Sequence, residues 1–269
     1  MKVLAIIPAR YASTRFPGKP LAELGGESII SRVYRNVCRA EGVEDVVVAT
    51  DDESICDHVE SFCEEGAVMM TSDTHNSGTE RCGEVVERLE RQGYTYDVII
   101  NVQGDEPFVE PAQLQTLIDA FNDPEVQIAT LATAISSTDE LLSPNNVKVV
   151  FGYGSEDENG FIGPNYRALY FSRQPIPFVR DVPVEKWLGY GAYYKHVGIY
   201  AFRPEALAKA CKPLPCLIEQ CEKLEQLRWL YAGIPITIRI TDHANIGIDT
   251  PDDLAAAEEY LKQKKQNRK

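Results

Sequence analysis

Val3-Leu4-Ala5-Ile6-Ile7, followed by Pro8-Ala9-Arg10-Tyr11-Ala12-Ser13-Thr14-Arg15-Phe16-Pro17-Gly18-Lys19-Pro20, is an apolar run that opens into a loop punctuated by proline and glycine. The run does not alternate with period two, so it reads as a strand buried on both faces, as in a parallel sheet. The loop carries three cations, Arg10, Arg15 and Lys19. With Lys2 they are the only charges before Glu23, in a chain whose formal net charge is −14. Arginine offers forked hydrogen bonds and lysine a compact charge, so a loop with both can gather the oxygens of a polyphosphate. The same residues also suit an ordinary basic surface loop.

The pattern repeats outward from this stretch. Helical periodicity over Ile29–Ala40, Glu53–Cys63, Glu80–Arg91 and Pro111–Phe121 alternates with strand-like runs at Val46–Thr50, Val68–Met70, Val98–Val102 and Ile128–Ala134. This succession predicts an α/β fold with a mostly parallel sheet flanked by helices on both faces. The rhythm changes after residue 143. Val147–Phe151 and Arg167–Phe171 bracket a hairpin-like excursion at Gly152–Pro164, and His196–Phe202 is strand-like. A helix at Glu219–Ala232, short extended pieces at Thr237–Ile240 and Gly247–Ile248, and a helix at Pro251–Lys262 complete the chain. We read residues 1–262 as one α/β domain. It carries a small β-rich insertion at about 145–200, suited to an oligomer interface, and 263–269 form a solvated tail.

Bulk properties exclude several classes. The acidic balance argues against nucleic acid or an anionic membrane as partner, since both need a basic footprint. Seven cysteines, an odd count with no C-x-x-C pair, suit neither a disulfide framework nor a zinc knuckle and fit a reducing compartment. The chain starts directly with a strand, without a signal-peptide pattern, and no apolar run approaches the ~18 residues of a membrane span. A cytoplasmic location is expected. The absence of G-x-x-x-x-G-K-[ST] excludes a P-loop NTPase.

Ligands of open parallel sheets bind beyond the carboxyl ends of the strands. There stands Gln103-Gly104-Asp105-Glu106-Pro107, whose Asp105 is placed to hold a divalent cation. His75-Asn76-Ser77-Gly78-Thr79-Glu80-Arg81 puts a helix cap, Ser77 or Thr79, where backbone N–H groups face an anion or a base edge. Gly247-Ile248-Asp249-Thr250-Pro251 supplies a second acid at the end of an extended piece. Thr250 reads as N-cap, Pro251 as first helical residue, and Asp252 and Asp253 as structural acids of the first turn. His196 and Tyr200 share one face of a strand, and Glu225 and Gln226 flank a helical apolar stripe. Each of these also has a plain structural reading: a turn, a cap, a core histidine, a solvated helix face.

Together these strings resemble the 3-deoxy-D-manno-octulosonate cytidylyltransferase (CMP-Kdo synthetase) family, from about Val3 to about Tyr260. The likeness rests on Ile7 to Pro20, His75 to Arg81, Asn101 to Pro107, Ala168 to Arg173, His196 to Tyr200, Leu224 to Arg228 and Gly247 to Pro251. The resemblance implies a Rossmann-like nucleotidyltransferase fold and the reaction CTP + Kdo → CMP-Kdo + pyrophosphate, serving lipopolysaccharide biosynthesis. It also implies Mg²⁺ dependence and a homodimer formed through the β-rich part. It assigns Pro8, Ala9, Arg10, Arg15, Lys19, Ser77, Gly78 and Arg81 to the nucleotide, and Asp105 and Asp249 to the metal. Gln103, Arg173, His196, Tyr200, Glu225 and Gln226 fall to the sugar acid, and Arg15, Lys19, Asp105 and Asp249 to catalysis. Cys216 and Ile218 stand where the family usually has Ser and Leu. Three rivals are a cytidylyltransferase for a related 3-deoxy-2-ulosonic acid such as 8-amino-Kdo, a sugar-phosphate nucleotidyltransferase, and a non-catalytic nucleotide sensor on the same fold. Thin late cations count against the second, and the two acids against the third.

Overall fold

The structure is a computed structural model that describes residues 1–12, 15–154, 164–243 and 246–266. Its strands are β1 (Val3–Ala9), β2 (Glu23–Leu24), β3 (Glu27–Ser28), β4 (Asp45–Thr50), β5 (Val68–Met70), β6 (Val98–Asn101), β7 (Ile128–Ala134), β8 (Lys148–Tyr153), β9 (Tyr166–Ser172), β10 (Tyr194–Phe202) and β11 (Thr237–Ile240). Its α-helices are α1 (Ile29–Val37), α2 (Glu53–Glu60), α3 (Gly78–Arg91), α4 (Pro111–Ala120), α5 (Thr138–Leu142), α6 (Pro204–Ala210), α7 (Leu217–Glu222), α8 (Gln226–Tyr231) and α9 (Pro251–Gln266). They form two compact units, Met1–Gln115 with Asn245–Lys269, and Thr116–Ala244.

In the first unit, β5, β4, β1 and β6 lie side by side, all parallel. Val3 to Ile7 are fully buried, as the unbroken apolar run requires. Helices α1, α2 and α3 pack on these strands. Each begins at a polar cap: Ser28 accepts from the Ser31 N–H, Asp52 from that of Ile55 and Ser77 from that of Glu80.

The second unit departs from the expectation of a mostly parallel sheet. Strand β7 is parallel to β11 but antiparallel to β10, and β9 is antiparallel to both β8 and β11. The order β10–β7–β11–β9–β8 closes on itself, because Tyr194 and Lys195 of β10 also pair with Val149 and Lys148. The sheet is therefore mixed. The reason is connectivity: β8 reaches β9 with no helix between them among the described residues, and only a crossover lets neighbouring strands run parallel. The ring of strands draws on β7 and β11 as well as on the stretch at 145–200. Ile135, Leu141, Trp187 and Tyr193 form a separate small core.

Three further differences bear on function. The helix expected over Glu219–Ala232 is two helices, since Lys223 adopts left-handed backbone (φ 55°) and ends α7. The Arg228 guanidinium forks onto Glu219, with Nε at 2.9 Å and Nη2 at 2.6 Å, and ties α8 to α7. Gly247 and Ile248 are not in a strand, so Asp249 leaves irregular backbone. The tail expected to be solvated from 263 is helical as far as Gln266, and Lys264 pairs with Glu110 at 2.9 Å. Residues 155–163 of the excursion, 13 and 14 of the basic loop, and 267–269 lie outside the described residues. Among the described residues no helix is long and apolar enough to cross a membrane.

Candidate active site

At the carboxyl ends of β1 and β6, a cavity of about 310 Å³ is lined by Pro8, Ala9, Arg10, Arg15, Lys19, Ser77, Gly78, Arg81, Gln103, Gly104, Asp105 and Asp249, with Pro20, His75 and Asn76. Its floor exists because of glycine. A Cβ on Gly104 would stand 2.8 Å from the Pro8 carbonyl oxygen, so only glycine lets the segment after β6 lie against the end of β1. Gly18 adopts φ 68° and donates its N–H to the Tyr11 carbonyl at 3.0 Å, closing the basic loop.

The charges in the cavity form a chain. Lys19, almost fully buried, donates from Nζ to Asp105 Oδ2 at 2.5 Å and to Asp249 Oδ1 at 3.1 Å. Arg15 Nη2 stands 3.0 Å from Asp249 Oδ2. A buried ammonium requires such partners. The two acids reach Lys19 from distant parts of the sequence, and the Ile248 N–H joins them by donating to the Asp105 carbonyl at 3.1 Å. Asp253, read from sequence as purely structural, also shapes this site. Its Oδ2 accepts from the N–H of Asp249, the N–H of Thr250 and the Thr250 hydroxyl, at 3.0, 2.8 and 2.8 Å. Burial alone would raise the Asp253 carboxyl, but these hydrogen bonds hold it below the usual range. Two carboxylates converging on one cation suit a hard divalent ion that takes its remaining ligands from phosphate and water. Among the described residues no third His, Cys, Asp or Glu joins them.

The nucleotide candidates differ in availability. Arg10 is exposed at the end of β1. Ser77 uses its hydroxyl to cap α3, while Glu80 reaches back to the Asn76 N–H at 2.8 Å. Arg81 is buried and committed to Thr71 Oγ1 and to Asp51 Oδ2, the latter at 3.0 Å, so it braces the cavity wall. His75 meets Glu84 at 2.5 Å. Burial alone would raise the Glu84 carboxyl, but the Ser72 N–H, His75 and the Arg88 charge hold it down. Asp51, Thr71 and Glu84 carry no sequence motif, since they act through tertiary contact.

The remaining sugar-acid candidates belong to the second unit. His196 and Tyr200 lie on β10 with ring centroids 5.3 Å apart. Burial pushes the His196 imidazole down to about 3, so it is neutral. The Tyr200 hydroxyl is buried and has no hydrogen-bond partner among the described residues; burial and the Glu225 charge raise its pKa. Arg173 is engaged with backbone carbonyls: Nε donates to Glu222 at 2.6 Å, Nη1 to Pro144 at 2.9 Å and Nη2 to Lys223 at 3.4 Å. The fully buried Lys148 donates to the carbonyls of Ser143, Asn146 and Arg173. Glu225 stands at the start of α8, and Gln226 is buried there.

The family model described as cytidylyltransferase matches residues 4–240. A 3-deoxy-manno-octulosonate cytidylyltransferase from Bacteroides thetaiotaomicron is 48% identical, over 97% of this chain and 99% of its own length. The chain belongs to the 3-deoxy-manno-octulosonate cytidylyltransferase family. It is accordingly a nucleotidyltransferase. The same-named protein of Geobacter sulfurreducens is 44% identical over 97% of this chain and all of its own length. Among solved structures, a CMP:2-keto-3-deoxy-manno-octonic acid synthetase complexed with CTP is 38% identical and superposes with a TM-score of 0.83, covering 98% of this chain and all of that one. A 4-diphosphocytidyl-2C-methyl-D-erythritol synthase from Anaerococcus prevotii, 15% identical with a TM-score of 0.59 over 97% of this chain and 96% of its own, shares the fold.

Proposed function

We propose that this member of the family transfers the cytidylyl group of CTP to 3-deoxy-D-manno-octulosonate (Kdo), giving CMP-Kdo and pyrophosphate for lipopolysaccharide biosynthesis. The observation that carries the reading is the Arg15–Asp249–Lys19–Asp105 chain in a cavity at strand ends. Cations suited to a triphosphate stand there beside a pair of acids suited to a metal, which supports the reading. Family membership and the CTP-complexed relative support the choice of substrates.

The anomeric hydroxyl of the sugar acid attacks the α-phosphorus in line. The bond from that phosphorus to the bridging oxygen of pyrophosphate breaks as the new P–O bond forms. Arg10, Arg15 and Lys19 hold the phosphate chain, and Arg15 and Lys19 neutralise the departing pyrophosphate. Ser77, Gly78 and the braced Arg81 shape the nucleotide side, with Pro8 and Ala9. Asp105 and Asp249 would hold Mg²⁺, which supplies charge neutralisation at the phosphate and lowers the pKa of a nearby hydroxyl. Gln103, His196, Tyr200, Glu225 and Gln226 contact the sugar acid. Arg173, tied to carbonyls, contributes its positive charge and the shape of its loop. No Ser or Cys is needed as a nucleophile, because catalysis is positioning plus charge stabilisation. The working protein is a homodimer, and its location is cytoplasmic.

The test is pyrophosphate release from CTP against a panel of sugar acids, Kdo and 8-amino-Kdo included, with and without Mg²⁺. Release with Kdo that depends on Mg²⁺ supports the reading. A higher kcat/KM for 8-amino-Kdo would move the activity to that sugar, and no release with any sugar acid would refute it.

A further inference from the structure

Strand β10 breaks register against β7 between Val197, opposite Leu131, and Tyr200, opposite Thr130. The bulge draws the Val197 and Ile199 carbonyls to one side chain. Thr130 Oγ1 lies 3.1 Å from the Val197 oxygen and 2.7 Å from the Ile199 oxygen. It also lies 2.9 Å from His196 Nε2. A threonine hydroxyl has one proton and two lone pairs, and a carbonyl oxygen can only accept. The Thr130 proton is therefore given to the carbonyls, most closely to Ile199. Oγ1 can meet His196 Nε2 only as an acceptor, which requires the proton on Nε2. In the other tautomer the hydroxyl would donate to Nε2 and leave its lone pairs against a carbonyl oxygen at 2.7 Å.

We propose that Thr130 is a positioning residue that holds His196 as its Nε2–H tautomer, so that Nδ1 is an acceptor for a hydroxyl of the sugar acid. This rests on the reading that His196 contacts that substrate. Nδ1 has no hydrogen-bond partner among the described residues, and His196 taken as a whole residue is of intermediate burial. Burial keeps the ring neutral, so Nδ1 retains its lone pair. The neighbouring Tyr200 hydroxyl, buried without a hydrogen-bond partner among the described residues, keeps its proton. Thr130 is itself fully buried, so its action on a ligand runs through His196.

The experiment uses the full chain with ¹⁵N-labelled histidine. Two-bond ¹H–¹⁵N spectra at neutral pH identify the bare nitrogen of each of the four imidazoles, and His196→Asn assigns the relevant one. The expected result is a bare Nδ1 in the wild type and in Thr130→Ser, and a mixture of tautomers in Thr130→Val. In steady-state kinetics, Thr130→Val should raise the Kdo KM roughly tenfold, the scale of one lost hydrogen bond, with the CTP KM changed less than about twofold. Thr130→Ser should restore the wild-type value. A wild-type spectrum protonated at Nδ1 overturns the proposal, as does an unchanged Kdo KM in Thr130→Val. The wild-type spectrum decides the tautomer even if Thr130→Val fails to fold. If the wild type shows a bare Nδ1 but releases no pyrophosphate from CTP and Kdo, the functional reading falls and the tautomer stands.

Discussion

Lys19 Nζ lies 2.5 Å from Asp105 Oδ2 and 3.1 Å from Asp249 Oδ1, so one buried ammonium joins the two acids of the cavity. Removing either side has different consequences. Asp105→Ala should lower kcat by on the order of 10²–10³, the scale for losing a group that stabilises the transition state. Lys19→Ala should impair turnover with every sugar acid, because its proposed role is on the triphosphate and not on the sugar. Pyrophosphate release measures both, and near-normal turnover in Asp105→Ala would remove the metal assignment.

Asp253 ties the position of Asp249 to stability. Its carboxyl is held below the usual range although burial opposes this, so the ionised form is favoured in the folded state. Its contribution is fully present above the unfolded value of about 4 and is lost as pH falls through the lower folded value. Denaturant melts of wild type and Asp253→Asn between pH 6 and 2 should converge at the acid end. At neutral pH the variant should be less stable by about 1 kcal/mol, the scale of a lost helix cap. Equal stability of the two at pH 6 would show that the Thr250 and Asp249 contacts carry no weight.

The resemblance implies a sugar-acid contact for Arg173, whose guanidinium donates to three backbone carbonyls. Arg173→Ala should therefore raise the Kdo KM with less effect on CTP and also lower the melting temperature. Arg173→Lys should recover the charge without the fork. If Arg173→Ala melts like the wild type, the carbonyl contacts are incidental; if it raises the CTP KM instead, the division of the site is wrong.

Gly104 offers a steric test. A methyl group there would meet the Pro8 carbonyl at 2.8 Å, and backbone cannot yield as a side chain can. Gly104→Ala should destabilise by about 1–3 kcal/mol, as overpacking does, and displace Asp105. Calorimetry and CTP titration would check this. A variant with native stability and CTP affinity would mean the cradle tolerates a shift.

The local signals that held are of one kind. Strands β5 and β7 and the caps Ser77 and Thr250 follow from neighbours within a few residues, where periodicity and side-chain capping operate. Those that failed turned on backbone and side-chain geometry that a hydrophobic period does not encode. The helix over Glu219–Ala232 has a suitable stripe, yet the Arg228 fork on Glu219 and the left-handed Lys223 divide it. Asp249 has no strand behind it and is placed by Asp253 and by the Ile248 bond to Asp105.

By itself the sequence determined the parallel strands of the first unit, the cations of the basic loop and the pair of acids, because hydrophobic period and residue type are local properties. Only the tertiary structure decided the antiparallel turn of the second unit, since strand direction depends on connections and pairing that no local pattern encodes. It alone showed Lys19 seated between Asp105 and Asp249, Arg173 held by carbonyls, and Thr130 beneath His196. A hydrogen bond needs two atoms within about 3 Å, and for residues this far apart in the chain only the fold sets that distance.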